Sequence, residues 1–327
     1  MNRNQAVSLV LRLLLSALML ALLIWRIPPI EWGEVLPELN AHTAVWLSIA
    51  LLLTLAGIVL SALRWQRVLE VLGVHAGLRR LLSHYLAGQF VSNVLPTTIG
   101  GDVLRVTRLS RDTGESPKTF ASVVLERLTG WLVLPLISVT GFVVNPALQH
   151  LGRATQVAAG MAVVTLLALS IVLLAVADPR IGGRFAASDG WRRFAGAVHL
   201  GLDRLKRDPA AALNVLLVGF AYQLVLVLAA VAAAQALGLH HVGLTALLAF
   251  FPAVAIAQVL PIGISGLGVR EGAFVLFLGP LGVRAQDAIA LGLLLYALNL
   301  SVSLLGAPAF AVGGRNPAPE PSLAAPV

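Results

Sequence analysis

No cysteine occurs in the 327 residues, which excludes a disulfide framework, a thiolate metal site and a thiol nucleophile. Charge is also scarce. Asp, Glu, Lys and Arg make up 12% of the chain, against about 25% in an ordinary soluble domain. The seven histidines (His42, His75, His84, His150, His199, His240 and His241) fall into no HExxH or comparable metal-ligand spacing. A phosphate-binding P-loop, a GxSxG elbow and an Asp-x-Asp pair are missing too, and the glycines near Gly268 do not fit a dinucleotide fingerprint. Neither a cofactor nor a metal is expected.

What fills the chain instead is apolar: 58% of residues are hydrophobic and the mean hydropathy is +0.89. Several apolar runs approach or exceed the roughly 20 residues that a membrane helix needs. Such a chain lacks the polar surface to cover itself in water, which excludes a soluble enzyme, a disordered chain and a nucleic-acid-binding domain. The expectation is an all-α integral membrane protein.

Six runs read as spans: Val7–Arg26, Thr43–Leu63, Thr119–Val144, Ala154–Ala177, Ala210–Leu237 and Gln286–Val312. The first has no small-residue cleavage site before Trp25, so it reads as a retained span rather than a signal peptide. Two further segments are apolar but broken. Leu81–Leu104 runs through Asn93, Pro96, Gly100 and Gly101 to Asp102; Ala246–Val269 runs through Pro261, Gly263, Ser265, Gly266 and Gly268. Broken backbone at membrane depth survives only where protein or water covers it, so both read as re-entrant hairpins.

The two breaks align. Val94-Leu95-Pro96 through Arg105 matches Val259-Leu260-Pro261 through Arg270 at Val, Leu, Pro, Ile, Gly and Arg, at an offset of 165 residues. The same offset carries the second span onto the fifth and the third onto the last. Each half then holds three crossings and a hairpin, and an odd number of crossings requires that the halves insert upside down relative to each other. Charge agrees. With the N-terminus inside, seventeen of the 23 basic residues fall in cytoplasmic segments, as the positive-inside rule demands. The expected topology is six transmembrane helices plus two re-entrant hairpins in two inverted repeats, both termini cytoplasmic.

The expected division is a first repeat over residues 1–150, a second over 151–313, and a proline-containing disordered tail over 314–327. The linker at about 178–209 carries an apolar helical stripe, Trp191, Phe194, Val198, Leu202 and Leu205, with Arg192, Arg193, Arg204, Lys206 and Arg207 elsewhere. It fits a helix lying on anionic inner-leaflet lipids, and equally a solvated connector.

Glu126 and Arg127 are the sharpest anomaly. Arg127 lies nine residues beyond Lys118, roughly 13 Å into a ~30 Å hydrocarbon slab. An unpaired guanidinium there costs a few kcal/mol, so it should face a partner, the bundle interior or a wet cavity. The 165-residue offset places Leu291 and Gly292 opposite this pair, so the scaffold does not require the charge. Two readings stay open: Arg127 takes an anionic phosphate with Glu126 holding it or exchanging a proton, or Arg127 pairs permanently with Asp102 or Glu126. Asp102 and Arg105 close the first hairpin, Arg270 and Glu271 the second, where glycine-lined helix starts suit an anion or ordinary capping. Asn93, Gln258, Thr97, Thr98 and Ser265 would satisfy broken backbone or line a polar path. Arg12, near the start of its span, is expected to snorkel to the headgroups.

Taken in order, Arg64-Trp65, Asn93-x-x-Pro96, Gly100-Gly101-Asp102-x-x-Arg105, Glu126-Arg127-x-x-Gly130, and Pro261 followed by Ser265-Gly266-x-Gly268-x-Arg270-Glu271-Gly272 resemble the lysylphosphatidylglycerol synthase transmembrane-region family, the flippase-like membrane domain. The resemblance spans about residues 7–312. It implies a bacterial or archaeal inner-membrane protein that moves or handles a lipid with a polar headgroup. In bifunctional members a soluble aminoacyl-transferase domain follows. The chain ends at Val327 without one, so aminoacylation of phosphatidylglycerol is not expected. The leading expectation is a flippase for a lipid with an anionic phosphate headgroup, with no chemical step. The alternatives are a membrane-embedded enzyme acting on a lipid phosphate, and a non-transporting partner of a lipid-synthesis enzyme.

Overall fold

The computed structural model describes residues 40–94, 100–178, 192–259 and 266–312. Among them all regular structure is helical. The helices are α1 (Ala41–Val71), α2 (Leu78–Val94), α3 (Gly100–Thr113), α4 (Ser116–Val144), α5 (Arg153–Ala177), α6 (Arg192–Arg207), α7 (Pro209–Ala236), α8 (Leu244–Val259), α9 (Val269–Leu278), α10 (Ala285–Leu304) and α11 (Gly306–Val312). Five of them, α1, α4, α5, α7 and α10, are long and apolar enough to cross a membrane. The expected first span at 7–26, the breaks at 95–99 and 260–265 (with Pro96, Thr97, Thr98, Pro261, Gly263 and Ser265), and the tail lie outside the described residues.

Local signals set the helix starts. Asn40 accepts the Thr43 amide at 2.9 Å to begin α1; Asp208 accepts the Ala211 amide at 2.9 Å ahead of Pro209 to begin α7. In both expected hairpins a helix precedes the break and another restarts after it, α2 and α3 in the first, α8 and α9 in the second.

The expected 165-residue register reappears in these helices. Shifted by that offset, α1, α2, α3 and α4 fall on α7, α8, α9 and α10 in the same order, with boundaries agreeing within a few residues. The mates α1 and α7 pack along their lengths and run antiparallel. His42 lies beside His240, with ring centroids 5.8 Å apart; a methyl on Gly57 would sit 3.1 Å from Leu226 Cδ2; one on Gly219 would sit 3.7 Å from Arg64 Cδ. Rising numbers on one helix meet falling numbers on the other. A second mated contact ties each half to the other. Gly141, near the end of α4, presses onto the backbone of Leu248 and Ala249 in α8, and its mate Gly306 presses onto the Leu86 carbonyl in α2. At both points a side chain would collide with main chain.

Two expectations change. The last span ends at Leu304, not at Val312: α11 is a separate turn of helix folded against α2, held by Arg108, whose Nη1 and Nη2 donate to the Ala309 and Phe310 carbonyls at 2.8 Å each. Part of the apolar face of the linker helix α6 packs inward. Ala197 and Val198 are buried with Val68, Leu72, Leu125 and Val215, and Leu202 and Leu205 pack onto the same cluster. Of the expected stripe, Val198, Leu202 and Leu205 therefore pack on protein, while Trp191 lies outside the described residues.

Candidate functional site

The largest buried polar cluster among the described residues lies where α1, α3 and α4 meet. Glu126 is 2% exposed and sits between two guanidiniums: Arg64 Nη2 donates to its Oε1 at 2.9 Å, and Arg105 Nη2 donates to its Oε2 at 2.8 Å. Ser61 Oγ also donates to Oε1, at 3.3 Å, and is itself 2.6 Å from the Tyr85 hydroxyl. Each element delivers its residue by simple periodicity. Ser61 and Arg64 lie three apart on α1, on the face that carries Gly57, and Asp102 and Arg105 lie three apart in the first turns of α3.

Aromatic faces hold the cations. The Arg105 guanidinium lies 4.8 Å from the centre of the Trp65 ring and 4.5 Å from that of Tyr85; Arg64 lies 5.0 Å from Tyr222. Trp65 is fully buried and donates its indole N–H to Ser122 Oγ at 2.8 Å, which fixes that wall. Gly130 makes room, since a methyl there would sit 3.0 Å from Arg64 Nη1.

Arg127 is not at the centre. Its side chain is 49% exposed and pairs with Asp102, which also lies 3.3 Å from Arg105. Of the two open readings, the ion pair with Asp102 is formed, and Arg127 also lines the cavity described next. The cytoplasmic count of basic residues includes Arg64, Arg105 and Arg108, and the sequence assigns Arg64 no role at the site. All three are buried and make internal contacts. The available signal for Arg64 was Ser61, Arg64 and Trp65 at helical spacing beyond an apolar stretch, a polar face continuing into a 31-residue helix.

A cavity of about 250 Å³ opens onto the cluster, lined by Arg64, Arg105, Arg127, Asp102 and Glu126, three cations against two carboxylates. Among the described residues, Arg64 Nε and Nη1 and Arg105 Nε are buried donors without an acceptor. Buried guanidinium donors left open are costly, and a phosphate oxygen is the acceptor they match best.

A second cavity of about 160 Å³ shares a wall with the first, made by Tyr85, Gln89, Tyr222, Leu226, Phe251 and Gln258. The two are mates under the repeat. Gly57, Ile58, Ser61, Ala229, Arg270, Leu295 and Asn299 line the smaller one. The 165-residue offset maps them onto Tyr222, Gln223, Leu226, Arg64, Arg105, Gly130 and Leu134, all lining the larger. Arg270, the counterpart of Arg105, is likewise buried and paired with a carboxylate, here the neighbouring Glu271: Oε1 accepts Nε at 3.1 Å and Nη2 at 2.9 Å. Glu271 Oε2 accepts the Gly268 amide at 2.6 Å, so the expected capping role is present. Its carboxylate occupies space left by Gly292, the counterpart of Arg127.

The remaining expected residues lie beside the two expected hairpins. Gly101 closes the first against Gly88 and Ser92; Gly266 (φ +74°) lies against Gln258, where a methyl would be 2.7 Å from Cβ. Gly268 starts α9 with φ +84°, and Gly100 is the first residue of α3. Asn93 Nδ2 is buried without an acceptor among the described residues, and Gln258 lies on the shared wall. No grouping of three or more His, Asp or Glu suited to a metal occurs among the described residues.

Comparison with known proteins gives two findings. The family described as the lysylphosphatidylglycerol synthase TM region matches residues 9–306. A curated protein, Glycosyltransferase AglD of Haloferax volcanii, is 27% identical over 93% of this chain and 54% of its own length. The chain thus spans about half the length of that relative.

Proposed function

Because the chain belongs to the lysylphosphatidylglycerol synthase TM-region family, we propose that it is a multi-pass protein of the cytoplasmic membrane that translocates a lipid with an anionic phosphate headgroup. The five apolar helices and residues 7–26 make six crossings, α2–α3 and α8–α9 form re-entrant hairpins, and both termini are cytoplasmic. The antiparallel packing of α1 on its mate α7 supports the inversion of the two halves.

The observation that carries the reading is the pair of mated cavities on either side of one shared wall, each with a buried arginine at the same repeat position. In an inverted repeat, mated cavities open to opposite leaflets. A headgroup phosphate is drawn by the unfilled donors of Arg64 and Arg105, with Arg127 and Asp102 at the site as an exchangeable pair. Rocking of the halves about the α1–α7 contact closes that cavity and opens the smaller one, where Arg270 stands in for Arg105. The lipid tails stay in the bilayer throughout. The carrier performs no covalent step, and its partners are the lipid substrate and the anionic leaflet facing the basic side of α6.

The test uses purified protein in vesicles containing phosphatidylglycerol that carries a fluorescent headgroup-proximal label, quenched from outside. The protein should make the inner-leaflet pool accessible, and Arg127→Ala should slow this at least tenfold with unchanged expression. Wild-type vesicles that behave like protein-free ones would end the proposal.

A further inference from the structure

Glu126 lines the larger cavity, while Ser61 lines the smaller one and Tyr85 lines both. These three residues form one hydrogen-bonded chain: Tyr85 hydroxyl to Ser61 Oγ at 2.6 Å, Ser61 Oγ to Glu126 Oε1 at 3.3 Å. A carboxylate in one cavity is thereby wired to the other.

The repeat shows that the scaffold has no need of this chain. At the positions matching Ser61, Arg64, Tyr85 and Glu126, the second half carries Leu226, Ala229, Phe250 and Leu291. Ala229, Phe250 and Leu291 are buried, packed apolar residues. Apolar side chains fill the same sites without polar groups to satisfy, which is the cheaper way to build an interior. The polar chain occupies one half only, and the other half fills the matching positions with apolar side chains.

We propose that Glu126 is a proton-binding station reached from the smaller cavity through Tyr85 and Ser61, and that it takes up a proton when a phosphate engages Arg64 and Arg105. The inference rests on the lipid-carrier reading and adds its coupling ion. With the cavity empty, Glu126 is the anion that the two guanidiniums hold. A phosphate that takes their donors places a second anion on the same pair of cations, in an interior where unpaired charge is costly. A proton then passes from water in the smaller cavity to the Tyr85 oxygen, the Tyr85 proton to Ser61, and the Ser61 proton to Glu126. The carboxylate ends neutral and both hydroxyls end as they began. Among the described residues, the groups facing Glu126 are Arg64 from α1, Tyr85 from α2, Asp102 and Arg105 from α3, Arg127 from its own helix and Tyr222 from α7. Departure of the phosphate restores the ion pairs and releases the proton.

Two measurements test this. Calorimetric titration of the detergent-purified protein with dihexanoyl phosphatidylglycerol, in buffers of different ionisation enthalpy, should report net uptake approaching one proton per bound headgroup. Glu126→Gln should abolish the uptake and Glu126→Asp should keep it. In vesicles, an acidic bath on the smaller-cavity side should drive labelled lipid to one leaflet, and Tyr85→Phe or Ser61→Ala should remove the drive while binding-linked uptake persists. Headgroup binding without proton uptake in the wild type, uptake unchanged in Glu126→Gln, or drive unchanged in Tyr85→Phe overturns the proton station and leaves the carrier intact. Absence of any headgroup binding in the wild type overturns both.

Discussion

Two adjacent residues on α4 divide the labour of the site. Glu126 is buried between Arg64 and Arg105, whereas Arg127 reaches a half-exposed position against Asp102. Removing one partner of a buried pair strands a charge at about 3–5 kcal/mol, whereas an exposed pair contributes about 0–1 kcal/mol. Arg64→Ala should therefore lower the melting temperature in detergent sharply, and Arg127→Ala should barely move it; a scanning fluorescence melt of both variants checks the contrast. Sequence reasoning singled out Glu126 and Arg127 and set the greater weight on Arg127. Counting depth along one helix locates a charge relative to the membrane surface but is blind to what the neighbouring helices bring. Arg64 arrives from α1, some sixty residues earlier, and no local pattern announces that meeting. Arg105 and Arg270 were legible because a proline-glycine break repeats just before each.

Apolar length and breaks were enough to read α1, α4, α5 and α7 to within a few residues, apart from the α1 end. That helix continues to Val71 because Arg64 is internal, and its polar face extends the helix past the apolar run. The end of α10 was misplaced since Gly306, Ala307 and Pro308 are as apolar as the span before them; composition cannot see a chain turning back onto α2. Gly141 and Gly306 mark where each half leans on a short helix of the other, α8 and α2. A side chain at either site meets backbone rather than a movable tip, so overpacking should cost about 1–3 kcal/mol. Gly306→Val and Gly141→Val should each lower the melting temperature, while Gly160→Val, with no atom within 4 Å of an added methyl, should leave it unchanged.

At the scale of the molecule, the duplication was readable from six identities across two breaks, and the helix register of both halves follows it. The cavities were not readable. Their shared wall is made by side chains of α2, α7 and α8, with α3 and α4 completing the larger cavity and α9 and α10 the smaller, and sequence spacing is silent on which mates touch. Sidedness can be measured directly on this cysteine-free chain. His75 follows α1, its repeat counterpart His240 follows α7, and both are exposed. Single cysteines at 75 and 240 should react with an impermeant maleimide from opposite faces of sealed vesicles; reaction from one common face would refute the inverted arrangement.

The one-sided placement of Ser61, Arg64 and Glu126 has a consequence for traffic through such a carrier. If the protein works as proposed, two unequal halves give the inward- and outward-facing shapes different free energies, and the carrier would spend most of its idle time waiting at one leaflet. Detailed balance forbids that preference from sorting lipid by itself. It sets instead which leaflet's lipid is collected first, and how steeply the exchange rate responds when the opposite leaflet is filled.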